Sequence, residues 1–283
     1  MNPYININVT VMKNLRFHVL ALVAALLFAA CGTTRTVPIT GRKQNLLVTD
    51  EQVLSLSTQE YTNYMKTAKV SVNSANTAMV KRVGQRLANA VQTFLVNNGM
   101  GTEVKNFSWE FNLVQDQSAN AFCMPGGKIV VYEGLLPYTQ NEASLAIVLG
   151  HEIAHAVAKH SAEQMSTEIK NQYGTQLLGG LLNAAGVGTN TTQIAQLITQ
   201  RGLQFRSLKY SRDHETEADR MGLIFAAMAG YDPQVAVAFW QRMAQGNQNS
   251  GSDMFSDHPS DAKRIAAIQK NMPEALKYYQ PAK

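Results

Sequence analysis

The fold and the chemistry of this chain are best deduced from residues 150–155, Gly150-His151-Glu152-Ile153-Ala154-His155. Two histidines four positions apart on an α-helix lie on one face, one turn apart, so both imidazoles can reach a single metal ion. The glutamate between them can face the open coordination position and accept a proton from a water molecule whose pKa zinc lowers from about 15.7 to roughly 7. The stretch therefore predicts a helix that carries a zinc site suited to hydrolysis.

The flanking residues favour a helix around this stretch. Asn141 or Thr139 offers an N-cap, and Glu142 lies in the first turn. Apolar residues recur at helical spacing, namely Ala143, Leu145, Ala146, Val148, Leu149, Ile153, Ala154 and Val157. The alternative is a chance match, in which both histidines are ordinary helix residues.

Zinc requires a third protein ligand, and the residues after His155 exclude one class of site. A metzincin would continue with glycine at position 158 and histidine at position 161, where this chain has Ala158 and Ser161. The other dense cluster of candidate ligands is the stretch 211–220. Within it, Glu215 and Asp219 lie one helical turn apart, so one carboxylate can bind zinc while the other accepts the second N–H of a zinc-bound histidine.

Several separate stretches between residues 38 and 270 resemble one family of zinc peptidases. They are Thr40-Gly41-Arg42, Asn120-Ala121-Phe122, Pro125-Gly126-Gly127, the His-Glu-x-x-His helix, residues 215–219, and His258-Pro259 with Arg264. In these stretches the chain resembles metallopeptidase family forty-eight, which includes the CAAX prenyl endopeptidase, HtpX and Oma peptidases. Within that family it resembles a soluble bacterial member of the lipoprotein type. The resemblance implies an α+β fold that is mostly α, with a zincin-like domain and a small sheet.

The resemblance also assigns the carboxylates of the second cluster. It implies that Glu215 is the third zinc ligand and that Glu217 is a surface or helix-pair carboxylate. His214 is the alternative ligand, although it points about 100° away from Glu215 around a helix.

Two strands are predicted ahead of the zinc helix. Residues 107–114 alternate apolar and polar side chains, and residues 128–132 form a short β-branched run. Between them, Asn120, Ala121 and Phe122 resemble the family's edge strand, along which an extended substrate adds its backbone to the sheet. The alternative is a buried turn before a core strand.

His258 and Arg264 lie close to the site in the family that the chain resembles. We infer that one of them stabilises the oxyanion of the tetrahedral intermediate, or that His258 occupies the open zinc position in a resting state. A purely structural pair is the alternative.

The first thirty residues predict a signal peptide. Lys13 and Arg16 precede an apolar run at 19–28 that is too short to span a membrane, and small residues precede Cys31. This pattern predicts that Cys31 is lipidated, that residues 31–49 form a lipidated tether, and that residues 50–283 form the peptidase domain. An ordinary cleaved signal or an uncleaved anchor is the alternative, and Met12 offers a more typical start than Met1.

Composition argues against a nucleic-acid partner. The chain has 25 basic and 20 acidic side chains, and two of the basic ones lie in the predicted signal. No basic stripe interleaved with aromatic residues is present. Of the two cysteines, only Cys123 lies in the predicted domain, so no disulfide can form within it.

The remaining segments predict helices that surround the site. Residues 50–67, capped by Asp50, and 77–96 have helical periodicity. Residues 173–201 predict two short helices that form either a mobile lid or a packed hairpin. Residues 211–229 predict the helix that carries Glu215.

The sequence as a whole predicts a zinc endopeptidase that holds one Zn²⁺ per chain. The expected location is the bacterial cell envelope, with a lipid anchor in a membrane and the domain facing the periplasm or the exterior. The family resemblance implies that the partners are polypeptide substrates among misfolded or assembling envelope and outer-membrane proteins. The alternatives are an envelope chaperone with a mostly resting zinc site and a peptidase that removes single terminal residues.

Overall fold

A computed structural model of the 283-residue chain describes residues 33–180, 205, 208, 210–250 and 262–281, with 172–180 and 246–250 as backbone only. The predictions for residues 1–30, Cys31 and His258 lie outside the described residues. So does residue range 181–201 of the predicted lid or hairpin.

The described residues are mainly helical, with two small sheets. The helices are α1 (Asp50–Thr67), α2 (Ser74–Asn97), α3 (Leu136–Thr139), α4 (Glu142–Val157), α5 (His160–Gly180), α6 (Arg212–Met228), α7 (Val235–Ser250) and α8 (Ala262–Leu276). The strands are β1 (Thr33–Thr36), β2 (Lys43–Leu46), β3 (Glu110–Val114), β4 (Ala121–Met124) and β5 (Lys128–Tyr132), and 3₁₀ helices cover Gly101–Asn106 and Glu133–Leu135. The predicted α+β class, mostly α, is confirmed.

The helices begin where a polar side chain satisfies a free backbone N–H. Thr49, not Asp50 as predicted, caps α1 and forms a reciprocal capping box with Gln52. The Asn141 side chain accepts from the Ser144 N–H at 2.9 Å and so fixes the start of α4. Ser211 does the same for α6. These caps fix where the two helices that carry the candidate ligands begin.

The three-stranded sheet has the order β3-β5-β4, with β3 parallel and β4 antiparallel to β5. Of the residues predicted to resemble an edge strand, Ala121 and Phe122 lie in β4 at an edge of this sheet, and Asn120 directly precedes β4. The first predicted strand begins only at Glu110, and Phe107 and Trp109 before it stack on each other with ring centroids 4.7 Å apart. Gly127 allows this stack, since a Cβ on it would lie 2.5 Å from the Trp109 ring.

Strands β1 and β2 form an antiparallel hairpin within the segment that was predicted to be a tether. Leu46 and Val48 are buried, as is the polar side chain of Gln44. The Gln44 amide donates to the Ala158 carbonyl at 2.9 Å, which lets a polar residue pack inside. The described residues that precede position 50 thus pack on the domain, and the tether to a lipid at Cys31 stays a prediction.

Helix α4 lies at the centre of the core, and nearly all of its residues are buried. It crosses α6 at two glycines, where a Cβ on Gly150 would lie 2.7 Å from the Gly222 carbonyl oxygen. A Cβ on Gly222 would in turn lie 2.7 Å from the His151 backbone nitrogen. The two backbones therefore touch, which brings the start of α6 close to the histidines of α4. No helix in the part of the chain that the structure describes has both the length and the apolar character to cross a bilayer.

Candidate metal centre

The side chains of His151, His155 and Glu215 converge between α4 and α6. The Nε2 atoms of the two histidines lie 3.0 Å apart. The Glu215 carboxylate places Oε2 3.4 Å from His151 Nε2 and Oε1 3.4 Å from His155 Nε2. Over residues 33–180, 205, 208, 210–250 and 262–281, these three form the one group of buried His, Cys, Asp or Glu side chains able to hold a metal ion.

These separations fit zinc. Ligand atoms at about 2.0–2.2 Å from a tetrahedral ion lie about 3.3 Å from one another, which is close to the three distances observed. Two imidazoles and one carboxylate also form a donor set that zinc favours when the fourth position is left for water or substrate. Other first-row ions accept the same donors, and their availability decides among them.

The other nitrogen of each histidine is held by a buried partner. His151 Nδ1 lies 2.9 Å from Asp219 Oδ1, and His155 Nδ1 lies 2.9 Å from His160 Nδ1. Both contacts direct Nε2 of the respective ring toward the shared position of the candidate ion. Asp219 therefore has the contact that was predicted for it.

Arg264 lies behind the histidines rather than in front of them. Its Nη2 donates to Asp219 Oδ1 at 2.6 Å, and its Nη1 lies 3.7 Å from Glu215 Oε2. The guanidinium also stacks over the Trp240 ring at 3.6 Å. These contacts support a role in positioning the carboxylates, and the predicted oxyanion role stays a prediction.

The buried charges shift the pKa values of the groups around the site. Burial raises the pKa of Asp219, but Arg264 and His151 outweigh it and hold that pKa below its usual value. Burial and Arg264 lower the pKa of His151, yet hydrogen bonds with Asp219 and Glu215 raise it to about 9. Burial lowers the pKa of His155. At neutral pH, Asp219 is thus ionised and accepts from the N–H at His151 Nδ1. A metal ion that binds at Nε2 replaces the proton there, and the Asp219 contact then keeps the remaining proton on Nδ1.

Glu152 is buried on α4, the helix that packs against the edge strand β4. Burial is the main cause of the raised pKa values of Cys123 and Tyr210, and the charge of Glu152 adds to both. Its carboxylate therefore interacts electrostatically with Cys123 of β4 and with Tyr210. The Tyr210 ring stacks on His155 with centroids 4.1 Å apart.

The structure places His214 and Glu217, two further residues of the stretch 211–220, outside the candidate metal site. His214, the alternative ligand, lies with its Nε2 3.2 Å from Glu163 Oε2, away from the three converging side chains. Glu217 was predicted to be a surface or helix-pair carboxylate, but it is buried and binds His160 and Arg42. The surface assignment was wrong because its partners come from distant parts of the chain. Burial raises the pKa of Glu217, and hydrogen bonds from His160, Arg42 and Thr40 lower it to about 2.

Asn120, Ala121 and Phe122 lie on or beside β4, next to the candidate metal centre. Asn120 and Tyr132 face each other as a hydrogen-bonded pair, since the Tyr132 N–H donates to the Asn120 carbonyl at 3.0 Å. Alternation along an antiparallel ladder then turns the backbone groups of Ala121 and Cys123 away from β5. The Asn120 side chain accepts from the Ala121 N–H.

Sequence reasoning missed His160, Tyr210 and Gly222. His160 carried a signal, because a third histidine closely follows the His-Glu-x-x-His stretch. Gly222 carried one too, since glycine inside a helix needs a packing reason. Tyr210 had no local signal, because its contact with His155 depends on how α5 and α6 are placed.

The model of the family described as "Peptidase family M48" matches residues 74–272. The chain belongs to peptidase family M48. Its M48 domain thus includes α4, α6 and the sheet.

Relatives of the M48 chain come from mitochondria and from bacteria. The chain is 38% identical to the mitochondrial metalloendopeptidase OMA1 of Schizosaccharomyces pombe over 174 residues. This aligned region covers 61% of this chain and 49% of that protein. Against the OMA1 metalloendopeptidase of Homo sapiens it is 29% identical over 245 residues, which is 85% of this chain and 46% of that protein. Against a putative beta-barrel assembly-enhancing protease of Vibrio cholerae it is 32% identical over 178 residues, which is 61% of this chain and 36% of that protein. The chain spans about half or less of the length of these relatives.

Proposed function

We propose that this M48 chain is a zinc-dependent endopeptidase. The observation that carries the proposal is the convergence of two imidazoles and one carboxylate at distances that fit a tetrahedral zinc ion. The names of the relatives, metalloendopeptidase and protease, support the same reaction class.

Each residue then has a distinct task. His151, His155 and Glu215 would hold a zinc ion, which would supply Lewis acidity and lower the pKa of a water molecule. Glu152 accepts the proton of the attacking water and passes it to the leaving amine. Asp219 holds the His151 tautomer, with Arg264 balancing its charge.

The edge strand β4 supplies the substrate-binding surface. The backbone N–H and C=O of Cys123 and the C=O of Ala121 face away from β5 and can pair with an extended polypeptide, whereas the Ala121 N–H donates to Asn120. Because α4, which carries Glu152, packs against β4, a peptide bound along β4 lies beside the helix that supplies the general base. Recognition through the backbone suits polypeptides that expose extended segments, such as misfolded or assembling proteins.

The substrates we propose are envelope proteins, including those of the outer membrane. The support is the name of the Vibrio cholerae relative, which refers to beta-barrel assembly. We also propose that Cys31 is lipidated and anchors the domain to an envelope membrane, on the grounds of the apolar run and small residues before it. Mass spectrometry of the mature N-terminus would reveal the acylated cysteine, and an unmodified Cys31 would contradict the anchor.

Glu152→Gln tests the proposed reaction. We expect purified protein with this change to keep one zinc per chain and to lose at least about 100-fold in cleavage of an unfolded polypeptide, because the amide cannot accept the proton. Metal content by mass spectrometry and product appearance by gel are the measurements. Retained cleavage by the zinc-loaded variant would contradict the role of Glu152, and a wild-type protein without cleavage would favour the chaperone alternative.

A further inference from the structure

The turn Thr40-Gly41-Arg42 joins β1 to β2 and has no task in the proposed reaction. The turn depends on Gly41, whose φ of 70° lies in the left-handed region. Thr40 and Arg42 both direct their side chains to Glu217 on α6, more than 170 positions away in sequence. These contacts are not needed to close the hairpin, so they indicate a further role for the side chains of Thr40 and Arg42 at Glu217.

A continuous line of hydrogen bonds connects the candidate ligand His155 to this turn. His155 Nδ1 lies 2.9 Å from His160 Nδ1, and His160 Nε2 lies 2.9 Å from Glu217 Oε2. Both imidazoles are almost completely buried. The line therefore runs through the interior, with protein groups rather than bulk water at each step.

A metal at His155 Nε2 is compatible with one arrangement of protons along this line. The metal requires the Nε2 lone pair, so the proton of His155 lies on Nδ1 and is donated to His160 Nδ1. His160 must then carry its own proton on Nε2 and donate it to Glu217. The carboxylate at the end of the line has to be ionised, since a protonated Glu217 is a poorer acceptor.

Arg42 holds Glu217 in that state. Its Nε and Nη2 donate to Glu217 Oε2 at 2.9 and 2.8 Å, and Thr40 donates its hydroxyl to Oε1. The same guanidinium donates to both oxygens of Glu163 on α5 at 2.7 Å. Arg42 thus joins the two helices that flank the line.

We propose that His160, Glu217 and Arg42 form a relay of positioning residues that fixes the tautomer and orientation of His155, so that the turn Thr40-Gly41-Arg42 is part of the metal centre. The proposal rests on the metal site of the proposed function. His151 contacts a carboxylate, that of Asp219, directly. In the relay, His155 is connected to a carboxylate, that of Glu217, through the imidazole of His160.

Zinc affinity tests the relay directly. The probe is Zn²⁺ in competition with a chromophoric chelator, and the visible spectrum of the Co²⁺-loaded protein reports the coordination geometry. His160→Leu removes both hydrogen bonds, and we expect zinc affinity to fall about 10–100-fold, the usual effect of losing a partner of a metal ligand. His160→Gln keeps an acceptor and a donor on one side chain, and we expect affinity to recover to within about threefold of wild type.

The matched control is Arg35→Gln on the same hairpin. Arg35 binds Asp50 and Glu103 but does not contact Glu217, so its loss weakens hairpin docking without breaking the relay. We expect Arg42→Gln to weaken zinc binding about tenfold and to alter the Co²⁺ spectrum, while Arg35→Gln changes neither.

Four outcomes decide the proposal. Wild-type affinity and spectrum in His160→Leu would overturn the relay, as would equal losses in Arg42→Gln and Arg35→Gln. If His160→Leu does not fold, Glu217→Gln decides, with an expected loss of about tenfold, and unchanged affinity in that variant would overturn the relay. A wild-type protein that binds no zinc contradicts the proposed function itself, which separates its failure from failure of the relay.

Discussion

At the scale of single residues, Arg264 is the side chain whose role the contacts distinguish most clearly. Its guanidinium binds Asp219 and lies near Glu215, behind the candidate ligands. If it positions these carboxylates, Arg264→Gln lowers zinc affinity about tenfold or more, because Asp219 then loses a buried charge partner. An oxyanion donor would instead show unchanged zinc affinity and a kcat lowered 100-fold or more. Chelator competition and steady-state kinetics on one preparation separate the two results.

Asp219→Asn tests the other half of that contact. The amide can present its N–H₂ group to His151 Nδ1, where the carboxylate only accepts, and it no longer balances the charge of Arg264. We expect a 10–100-fold loss of zinc affinity. Asp116→Asn is the control, since Asp116 lies in a loop and binds Ser118. Equal zinc affinity in the two variants would contradict a role for Asp219 in positioning His151.

The residues that could be predicted from the sequence are those whose geometry is local. His151, Glu152 and His155 share one helix, so their relative placement follows from helical spacing alone. Glu215 required the resemblance to a family, because its distance from His151 depends on how two helices pack. Glu217 was assigned wrongly in part, since its partner Arg42 lies 175 positions away and polar composition alone does not show a buried partner.

At the scale of secondary-structure elements, the crossing of α4 and α6 brings the ligands together. Gly222→Ala places a Cβ 2.7–2.9 Å from the backbone of Gly150 and His151, so the helices must separate. We expect a loss of about 1–3 kcal/mol of unfolding free energy and weaker zinc binding, because Glu215 moves with α6. Gly101→Ala is the control, since its Cβ meets nothing closer than 3.8 Å. Urea unfolding and chelator competition are the measurements, and a Gly222→Ala protein that matches the control would contradict the packing argument.

The edge strand makes a prediction of its own. Proline at position 123 removes an N–H that faces away from β5, so it leaves the β4–β5 ladder intact while blocking one bond to a bound peptide. We expect Cys123→Pro to lower kcat/KM for a peptide substrate about tenfold, mainly through KM. Cys123→Ala, which removes only the thiol, should retain wild-type kinetics. Unchanged KM in the folded proline variant would argue against backbone pairing along β4.

The sheet and helices were predicted more completely than the hairpin. Helices α1, α2 and α4 carry periodic apolar residues that signal their buried faces. The hairpin of β1 and β2 is short and polar, so its sequence resembles a linker. The hairpin packs because Arg42 and Gln44 bind distant acidic and carbonyl groups and because Leu46 is buried, and none of these contacts is local in sequence.

At the scale of the whole molecule, the hairpin is joined to the domain by charges that depend on pH. Asp50 accepts from Lys159 at 2.7 and 2.8 Å and from Arg35 at 2.8 Å. Burial raises the pKa of Asp50, but Lys159 and Arg35 hold it below its usual value. A carboxyl group whose pKa is lower in the folded state stabilises the fold above its ordinary pKa of about 4 and loses that effect as the pH falls.

Asp50→Asn should therefore reduce stability at pH 7 and matter little at acid pH. We expect a difference from wild type of about 1 kcal/mol in unfolding free energy at pH 7, shrinking as the pH falls toward 3. Urea unfolding at several pH values measures the difference. A gap that stays constant or widens on acidification would contradict the lowered pKa of Asp50.

Anomalous diffraction at the zinc edge, from crystals of the zinc-loaded protein, tests the central claim that side chains of α4 and α6 share one metal ion. We expect a single peak within about 2.2 Å of His151 Nε2, His155 Nε2 and a carboxylate oxygen of Glu215. A peak bound by the imidazoles but without Glu215, or one centred on His160 and His214, would contradict it.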